Sequence, residues 1–171
     1  MDLNLADSSA TDALGEALAR AFAGTAPAPG APPGGVLYLQ GDLGAGKTTC
    51  ARALLRALGV VGLVRSPTYT LVETYELAGI TCIHVDLYRL QSLTEVDELG
   101  LRDLVGLSSL LMVEWPERGG AALPAADLSV VLSYAGEGRQ ARVTAHSRLG
   151  SRWLENLGSD TSLRGYLSNL T

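Results

Sequence analysis

The segment GDLGAGKTT, residues 41–49, is the most specific part of this sequence. Residues 41–48 match the pattern G-x-x-x-x-G-K-T of a phosphate-binding loop. In such a loop the glycines let the backbone turn tightly, so that successive N–H groups point inward and form a nest for an anion. A helix that begins directly after the loop adds the positive end of its dipole. The segment therefore predicts a P-loop that binds a nucleotide; the alternative is a glycine turn between a strand and a helix.

Lys47 and Thr48 carry the expected chemistry of this loop. Lys47 is the only lysine among 13 basic residues, and we expect its ammonium group to reach the β- and γ-phosphates as a mobile point charge. We expect the hydroxyl group of Thr48 to coordinate Mg²⁺, which retains most of its water ligands. The flanks fit this interpretation, since residues 36–40 are typical of an apolar strand and residues 49–58 of a helix that stops at Gly59.

Composition limits the classes of protein to which the chain can belong. With 171 residues and a hydrophobic fraction of 47%, we expect one globular domain, residues 1–171. The sequence shows neither an apolar run long enough to span a membrane nor a signal peptide, so we expect a cytoplasmic protein without membrane contact. Its net charge of −5 disfavours tight direct binding to nucleic acid. Cys50 and Cys82 are expected to be small buried residues rather than a disulfide or a metal site.

The remaining pattern mixes helices and strands. Strand-like runs occupy 2–5, 36–40, 71–77, 80–86, 107–113, 127–134 and 139–146. Helix-like runs occupy 13–22 after a capping pattern at 9–12, 49–58, a segment that starts at a capping pattern at 94–97, and a weakly helical tail at 149–171. Short turns at Ala78-Gly79 and at 136–138 predict two antiparallel hairpins, and the Pro/Gly-rich segment 24–35 predicts a surface loop. We therefore predict an α/β fold: a P-loop NTPase-type three-layer sandwich with a mixed sheet and antiparallel hairpins.

Glu114 and Asp86 are the candidate acids beside the phosphates. Besides the P-loop, hydrolysis needs an acid at a strand end that positions the metal ion, and a group that orients water. Glu114 ends the apolar run 110–113, so we predict that it reaches the metal directly or through a bound water; the alternative is a surface acid just past a strand. Asp86 ends the run 82–85 and has three open roles: holding a metal-bound water, orienting the nucleophile, or capping the next turn.

Thr68 and His84 are two further side chains near these acids. Thr68 lies in the polar segment 66–70, for which we predict movement toward the γ-phosphate and nucleotide sensing, against the alternative of a plain loop. His84 alternates with Asp86 on one strand face, and we expect it to be a packed, hydrogen-bonded residue rather than a base. The predicted catalytic residues are therefore Lys47, Glu114, Asp86 and Thr68, and the predicted metal ligands are Thr48 and Glu114.

Taken together, these segments resemble the TsaE family, the bacterial ATPases of tRNA threonylcarbamoyladenosine (t6A) synthesis. The resemblance rests on GDLGAGKTT (41–49), SPTYTLVETY (66–75), HVDLYRL (84–90), DELG (97–100) and VEWPER (113–118), which occur in that order. It covers about residues 5–146. The loop at 24–35 is longer than the family leads us to expect, and no family property is carried onto the tail.

The resemblance implies an activity, its cofactors and its partners. It implies binding of ATP and Mg²⁺, slow hydrolysis by the protein alone, and docking on a heterodimer of TsaB and TsaD. That heterodimer transfers a threonylcarbamoyl group to adenosine 37 of tRNAs reading ANN codons, so contact with tRNA would be indirect. Segments 86–90 and 115–118 are the predicted docking surfaces. The implied nucleotide-binding residues are Asp42, Leu43, Gly44, Ala45, Gly46, Lys47, Thr48 and Thr49, with further contacts from Thr11 and Arg139, which would otherwise be a helix cap and a solvated arginine.

Two other functions are compatible with a P-loop. A small-molecule kinase needs an acceptor pocket and usually an arginine-bearing lid, but after Glu114 the sequence offers only Glu117-Arg118 and a loop of glycine, alanine and proline. A nucleotide-dependent switch needs binding without turnover. The switch predicts that Glu114→Gln still supports tRNA modification whereas Lys47→Ala does not.

Overall fold

The structure is a computed structural model that describes residues 1–28, 30–77, 79–106 and 108–168. Four parts of the sequence predictions lie outside these residues: Pro29 of the surface loop, Ala78 of the first hairpin turn, Leu107 at the start of a strand-like run, and the end of the tail, 169–171. The strands are β1 (Asp2–Leu5), β2 (Gly35–Gln40), β3 (Val72–Leu77), β4 (Ile80–Asp86), β5 (Ser109–Glu114), β6 (Leu128–Ala135) and β7 (Gly138–Ala145). The α-helices are α1 (Ser8–Ala23), α2 (Lys47–Ala57), α3 (Leu93–Glu98) and α4 (Arg148–Gly158).

The strands form one mixed sheet in the order β1-β7-β6-β2-β5-β4-β3. The central strand β2 is parallel to both β5 and β6, and β4 is parallel to β5. The pairs β3–β4, β6–β7 and β1–β7 are antiparallel. Parallel strands beside the P-loop with antiparallel hairpins further out are the arrangement that the sequence predicts. In this topology the carboxyl ends of β2, β4 and β5 meet at one edge of the sheet, where α/β proteins bind their ligands.

Side chains of β2 alternate between two cores, one on each face of the sheet. Leu37 and Leu39 face the larger core, which α1, α2 and α4 cover. Val36 and the partly buried Tyr38 face a smaller core, beneath α3 and the 3-10 helix Gly120–Ala122. Burial on both faces explains why the central parallel strands are continuous apolar runs. None of the described helices combines the length and the apolar composition needed to cross a bilayer.

The buried thiols follow from the same packing. Cys50 of α2 and Cys82 of β4 are both buried and unpaired, as the sequence predicts. Burial raises the pKa of each thiol to about 12, so both remain protonated and unreactive at neutral pH.

The first helix begins earlier than its capping pattern indicates. Asp7 is the N-cap of α1, and its carboxylate accepts a hydrogen bond of 2.8 Å from the N–H of Ala10. The predicted cap at 9–12 therefore lies within the helix, and the predicted start at residue 13 is wrong. Several neighbouring residues here have side chains that can cap a helix, so sequence alone does not rank them.

The helix α3 shows the same kind of shift. Ser92, rather than Thr94, is its N-cap. The side chain of Ser92 accepts a hydrogen bond of 3.3 Å from the N–H of Glu95, and the Glu95 carboxylate accepts one of 3.1 Å from the N–H of Ser92. These two bonds form a complete capping box. The pKa of the Glu95 carboxyl is lowered because its carboxylate accepts from the N–H groups of Gln91, at 2.9 Å, and Ser92.

The helical tail predicted for 149–171 is found in part: the described tail is helical at Arg148–Gly158 and Thr161–Tyr166, but not at 159–160 or 167–168. The helix α4 packs on α1 through Trp153, whose indole N–H donates to the carbonyl oxygen of Leu18 at 2.9 Å and whose ring lies 4.9 Å from that of Phe22. After the 3-10 helix Thr161–Tyr166, the N–H of Ser168 donates to the carbonyl oxygen of Asp2. The tail therefore fixes α1 and lies along the exposed edge strand β1.

Candidate nucleotide-binding site

The segment 41–46 joins β2 to α2 and has the backbone of an anion-binding loop. Gly41, Gly44 and Gly46 have φ angles of 132°, 77° and 110°, which residues with a Cβ adopt rarely. A Cβ at Gly41 would also collide with the carbonyl oxygen of Leu132 on β6. No side chain caps α2 within the described chain, so the N–H groups of its first turn are open to a ligand.

Lys47 lies at the start of α2 and is buried, with 4% of the residue exposed. Its Nζ atom donates to the carbonyl oxygens of Gly41 and Asp42, at 2.6 and 2.9 Å. The ammonium group also lies 3.8 Å from the centre of the Trp115 ring, a cation–π contact. Burial lowers the pKa of the Lys47 ammonium from its ordinary value, and nearby carboxylates, that of Glu114 foremost, oppose this shift. The ammonium group of Lys47 is therefore held by two neutral carbonyl oxygens and an aromatic ring. Charged phosphate oxygens are stronger acceptors and can replace these partners.

Glu114 ends β5 and connects the P-loop helix to β4. Its Oε2 atom accepts a hydrogen bond of 2.9 Å from the hydroxyl of Thr48, and its Oε1 atom lies 2.8 Å from Nε2 of His84. Glu114 and His84 are both buried. The alternative of a surface acid just past the strand is wrong, because the carboxylate lies inside the site.

Asp86 ends β4, one strand away from Glu114 and in register with it. One carboxylate oxygen accepts a hydrogen bond of 2.9 Å from the N–H of Tyr88, so Asp86 caps the following turn. The other oxygen accepts bonds from the hydroxyls of Thr68, at 2.8 Å, and Ser66, at 3.3 Å. Asp86 therefore ties the segment 66–70 to the sheet edge.

Trp115 follows Glu114 in a left-handed conformation, with φ of 60°. Such a backbone is uncommon for a bulky residue. It places the indole ring between Lys47 and the ring of Tyr88, whose centre is 5.0 Å away. The guanidinium of Arg118 lies 5.3 Å from the Tyr88 ring. An aromatic wall thus closes one side of the site.

The hairpin β6–β7 contacts the outer side of the P-loop. The hydroxyl of Tyr134 donates to the carbonyl oxygen of Leu43 at 2.8 Å. Arg139 donates to the carbonyl oxygen of Gly44 at 3.3 Å, and its guanidinium lies 4.1 Å from the Tyr134 ring. Thr11 of α1 reaches the same region, since its methyl group faces Gly46.

Two pockets meet at Gly44 and Gly46. The phosphate-side pocket is lined by Leu43, Gly44, Gly46, Lys47, Thr48, Thr49, Thr68, Asp86, Tyr88, Glu114 and Trp115. The hairpin-side pocket is lined by Asp7, Ser8, Thr11, Gly44, Ala45, Gly46, Thr49, Glu137, Gly138 and Arg139. Of the predicted nucleotide-binding residues, only Asp42 lines neither pocket, and it takes part through its carbonyl oxygen, which binds Lys47.

The residues present fit a magnesium nucleotide. The described residues contain no group of three or more carboxylate, imidazole or thiol side chains that would hold a metal alone. Mg²⁺ needs no such group, since it takes one or two protein ligands together with phosphate oxygens and water. Thr48 donates its only hydroxyl proton to Glu114, so both lone pairs of its oxygen remain for a cation.

Some contacts of the site have no signal in the sequence pattern. The pairing of His84 with Glu114, the hydroxyl of Tyr134 on the P-loop and the ring of Trp115 on Lys47 all depend on which strands are neighbours. Only the position of Trp115, directly after a strand-end acid, could have suggested a contact with the site.

The chain is similar to known proteins over most of its length. The sequence model of the family described as "Threonylcarbamoyl adenosine biosynthesis protein TsaE" matches residues 5–143. The tRNA threonylcarbamoyladenosine biosynthesis protein TsaE of Haemophilus influenzae is 45% identical over 115 residues, which are 67% of this chain and 73% of that protein. The protein of the same name from Bacillus subtilis is 34% identical over 139 residues, 81% of this chain and 85% of its own length.

A solved structure extends the likeness to the fold. The crystal structure of YdiB from Bacillus subtilis superposes with a TM-score of 0.71 at 29% identity, and the match covers 92% of this chain and 93% of YdiB. The predicted P-loop-type α/β fold is confirmed. The match to the family model and the similarity to the two curated relatives show that this chain belongs to the TsaE family.

Proposed function

We propose that this chain binds and hydrolyses Mg-ATP in support of t6A formation at adenosine 37 of tRNAs reading ANN codons. Its family makes the coarser part of this statement plain: the protein takes part in the biosynthesis of threonylcarbamoyladenosine in tRNA. Hydrolysis is slow in the protein alone and rises when it docks on a heterodimer of TsaB and TsaD homologues.

One observation carries the proposal: an anion nest, a buried lysine and two strand-end acids converge on one pocket. The nest and the start of α2 bind the phosphates. Lys47 exchanges the carbonyl oxygens of Gly41 and Asp42 for phosphate oxygens, which are stronger acceptors because they are charged. Thr48 and Glu114 would hold Mg²⁺, which would supply positive charge opposite the negative charge that develops during phosphoryl transfer.

Asp86 and Thr68 account for the sensitivity of the site to its nucleotide. Their hydrogen bond of 2.8 Å holds the segment 66–70 against the phosphate-side pocket. A γ-phosphate in that pocket competes for the Thr68 hydroxyl, so that gain or loss of the phosphate shifts the segment. This segment continues into β3 through Leu71, whose φ of 64° makes it a candidate hinge.

The hairpin-side pocket accommodates the rest of the nucleotide. It opens from the same glycines on the other side of the loop and is lined by Thr11 and Arg139. We propose that these two residues contact the nucleoside. Thr11 and Leu18 lie seven residues apart on α1, and the carbonyl oxygen of Leu18 accepts a hydrogen bond from Trp153 of α4. One rigid helix therefore connects this pocket to α4.

The connection between β5 and β6 disfavours a kinase. It is described in full and contains two 3-10 helices, Pro116–Arg118 and Gly120–Ala122, which lie beside the sheet edge or beneath it. A lid that shields a transferring phosphoryl group from water is normally a longer mobile element. Arg118 in this segment instead donates to the carbonyl oxygen of Leu90 and stacks near Tyr88.

Phosphate release from Mg-ATP is the direct test. It is measured for the purified protein alone and with its TsaB–TsaD pair, alongside a search for phosphorylated metabolites. We expect slow release alone and strong stimulation by the pair. Absence of stimulation, with the complex shown to form, would contradict a partner-gated ATPase, and a phosphorylated metabolite would favour the kinase.

Docking is tested with a residue that does not contact the nucleotide pocket. Trp115→Ala removes a contact of Lys47, so it cannot separate docking from nucleotide binding. Arg89 is exposed, stacks on Tyr69 at 4.0 Å and lines neither pocket. We expect Arg89→Glu to lower stimulation by the heterodimer while the ATP affinity of the free protein stays unchanged. Arg152→Glu, on α4, is the matched control.

A further inference from the structure

His84 lies behind Glu114, outside the lining of the phosphate-side pocket. Its Nε2 atom is 2.8 Å from Oε1 of Glu114, and the two side chains are 0% and 2% exposed. The other carboxylate oxygen of Glu114 accepts the hydroxyl of Thr48 at 2.9 Å. Each oxygen of this carboxylate therefore has one hydrogen-bond partner, and the two bonds together fix the orientation of the carboxylate plane.

Packing alone does not explain a histidine at this position. The Nδ1 atom of His84 is buried and has no hydrogen-bond partner among the residues that the structure describes. An unpaired buried polar atom lowers stability, and an apolar side chain would avoid that cost. Cys82, on the same strand face, and Met112, opposite His84 on β5, are buried and weakly polar or apolar. Two acids also lie beside it, Asp86 on the same strand face and Glu73 opposite it on β3, but within the described residues the imidazole hydrogen-bonds to neither. The contact with Glu114 is the interaction that favours an imidazole here.

We propose that His84 is a positioning residue for Glu114. Its Nε2–H group donates to Oε1 and holds the carboxylate so that Oε2 faces Thr48 and the phosphate-side pocket. The hydrogen bond itself is independent of the proposed function, whereas its consequence for magnesium and hydrolysis rests on that function. His84 is not a general base in this proposal, because its imidazole contacts Glu114 and does not line the pocket.

The effect of His84 extends to Thr48 through the shared carboxylate. A carboxylate offers about four lone-pair sites, so two remain on Glu114 after its bonds to His84 and Thr48. With the carboxylate fixed, the hydroxyl proton of Thr48 has a fixed acceptor and the lone pairs of Thr48 keep one direction. Groups that orient metal ligands in this way typically change metal affinity or activity by about 10- to 100-fold.

Two substitutions and a control separate the hydrogen bond from the volume of the side chain. His84→Leu removes the donor, and His84→Gln keeps an N–H group near the position of Nε2. The control is His146→Gln: His146 is the only other histidine, and it contacts Ser129 at the opposite edge of the sheet. Thermal unfolding of each variant verifies that it folds.

The first readout is the magnesium dependence of phosphate release at saturating ATP, together with the KM for ATP. For His84→Leu we expect about a 10- to 100-fold higher magnesium requirement or lower kcat, with little change in KM. His84→Gln should recover much of that loss, and His146→Gln should match the wild type. A His84→Leu protein with the wild-type magnesium requirement and kcat would overturn the positioning role, and so would equal losses in the leucine and glutamine variants.

The second readout needs no turnover. Nitrogen-15 NMR of the two imidazoles reports which ring nitrogen carries the proton. For His84 we expect the Nε2–H form with a slowly exchanging proton, and faster exchange of that proton in Glu114→Ala. An Nδ1–H form, or an exchange rate that Glu114→Ala leaves unchanged, would overturn the hydrogen bond. A wild-type protein without magnesium-dependent hydrolysis would instead contradict the proposed function, and the imidazole signals would still decide the contact.

Discussion

The two pockets that meet at Gly44 and Gly46 are built in different ways. In the phosphate-side pocket, Lys47, Asp86 and Glu114 are 4%, 3% and 1% exposed and are held by the ends of buried strands. In the hairpin-side pocket, the charged residues Asp7, Glu137 and Arg139 are at least partly exposed, and Arg139 comes from a hairpin and stacks on the half-exposed ring of Tyr134. Buried charges interact strongly because little water screens them, while exposed charges contribute little. Substitutions should therefore have large effects in the first pocket and small ones in the second.

The largest effect is expected from Lys47→Ala. The substitution removes a charge-assisted contact to phosphate, and we expect a loss of about 2–3 kcal/mol, roughly 30- to 160-fold in the Kd for Mg-ATP. Isothermal titration calorimetry measures this affinity. Arg56→Ala, at the exposed end of the same helix, is the matched control. Equal affinities in the two variants would refute the assignment of the P-loop.

Glu114→Gln should separate binding from turnover. The amide keeps the size of the side chain but loses the negative charge, so we expect nearly unchanged ATP affinity and a kcat lower by about 10- to 100-fold. Phosphate release at saturating Mg-ATP measures kcat. Glu155→Gln, an exposed acid on α4, is the control. Normal turnover in Glu114→Gln would assign the metal to another residue, and t6A formation without turnover would favour the nucleotide-dependent switch.

A smaller effect is expected at the boundary of the phosphate-side pocket. Thr68→Val removes the hydroxyl that donates to Asp86 and should weaken the anchor of the segment 66–70 by about 1 kcal/mol. Hydrogen exchange of the Leu71 N–H, which donates to the carbonyl oxygen of Pro67, reports this opening and should accelerate roughly fivefold. Thr70→Val is the control, because the exposed hydroxyl of Thr70 donates to Glu73 and not to Asp86. Equal exchange rates in both variants would show that Asp86 does not hold the segment.

For the phosphate-side pocket, the sequence predicts which acids take part better than it predicts the contacts between side chains. Glu114 and Asp86 were found because each ends an apolar run, and parallel neighbours bring such ends together. His84 is packed and hydrogen-bonded, as the sequence predicts, but its partner could not be predicted in this way. His84 reaches Glu114 only because β4 borders β5 in one register, and a hairpin pattern for β3–β4 does not specify the strand on the other side of β4.

The sequence predicts local conformation less well where several residues can cap the same helix, or where a residue adopts a backbone conformation that its type disfavours. The start of α1 was misplaced because Asp7 precedes further residues that can also cap a helix. The left-handed conformation of Trp115 has no signal in the sequence, since it opposes the preference of its own residue type. Such exceptions belong to the site, where the surrounding structure imposes them.

The smallest effect is expected from Arg139→Ala. This substitution is the sharpest test of the difference between the phosphate-side and hairpin-side pockets. The guanidinium of Arg139 is partly exposed and already donates to the carbonyl oxygens of Gly138 and Gly44, so a nucleoside gains little from it. We expect a loss of ATP affinity below about 1 kcal/mol, less than roughly fivefold. Arg142→Ala, on the same strand and paired with Asp2, controls for loss of charge. A loss as large as that of Lys47→Ala would mean that the nucleotide itself buries Arg139, and the hairpin-side pocket would then bind as strongly as the phosphate-side pocket.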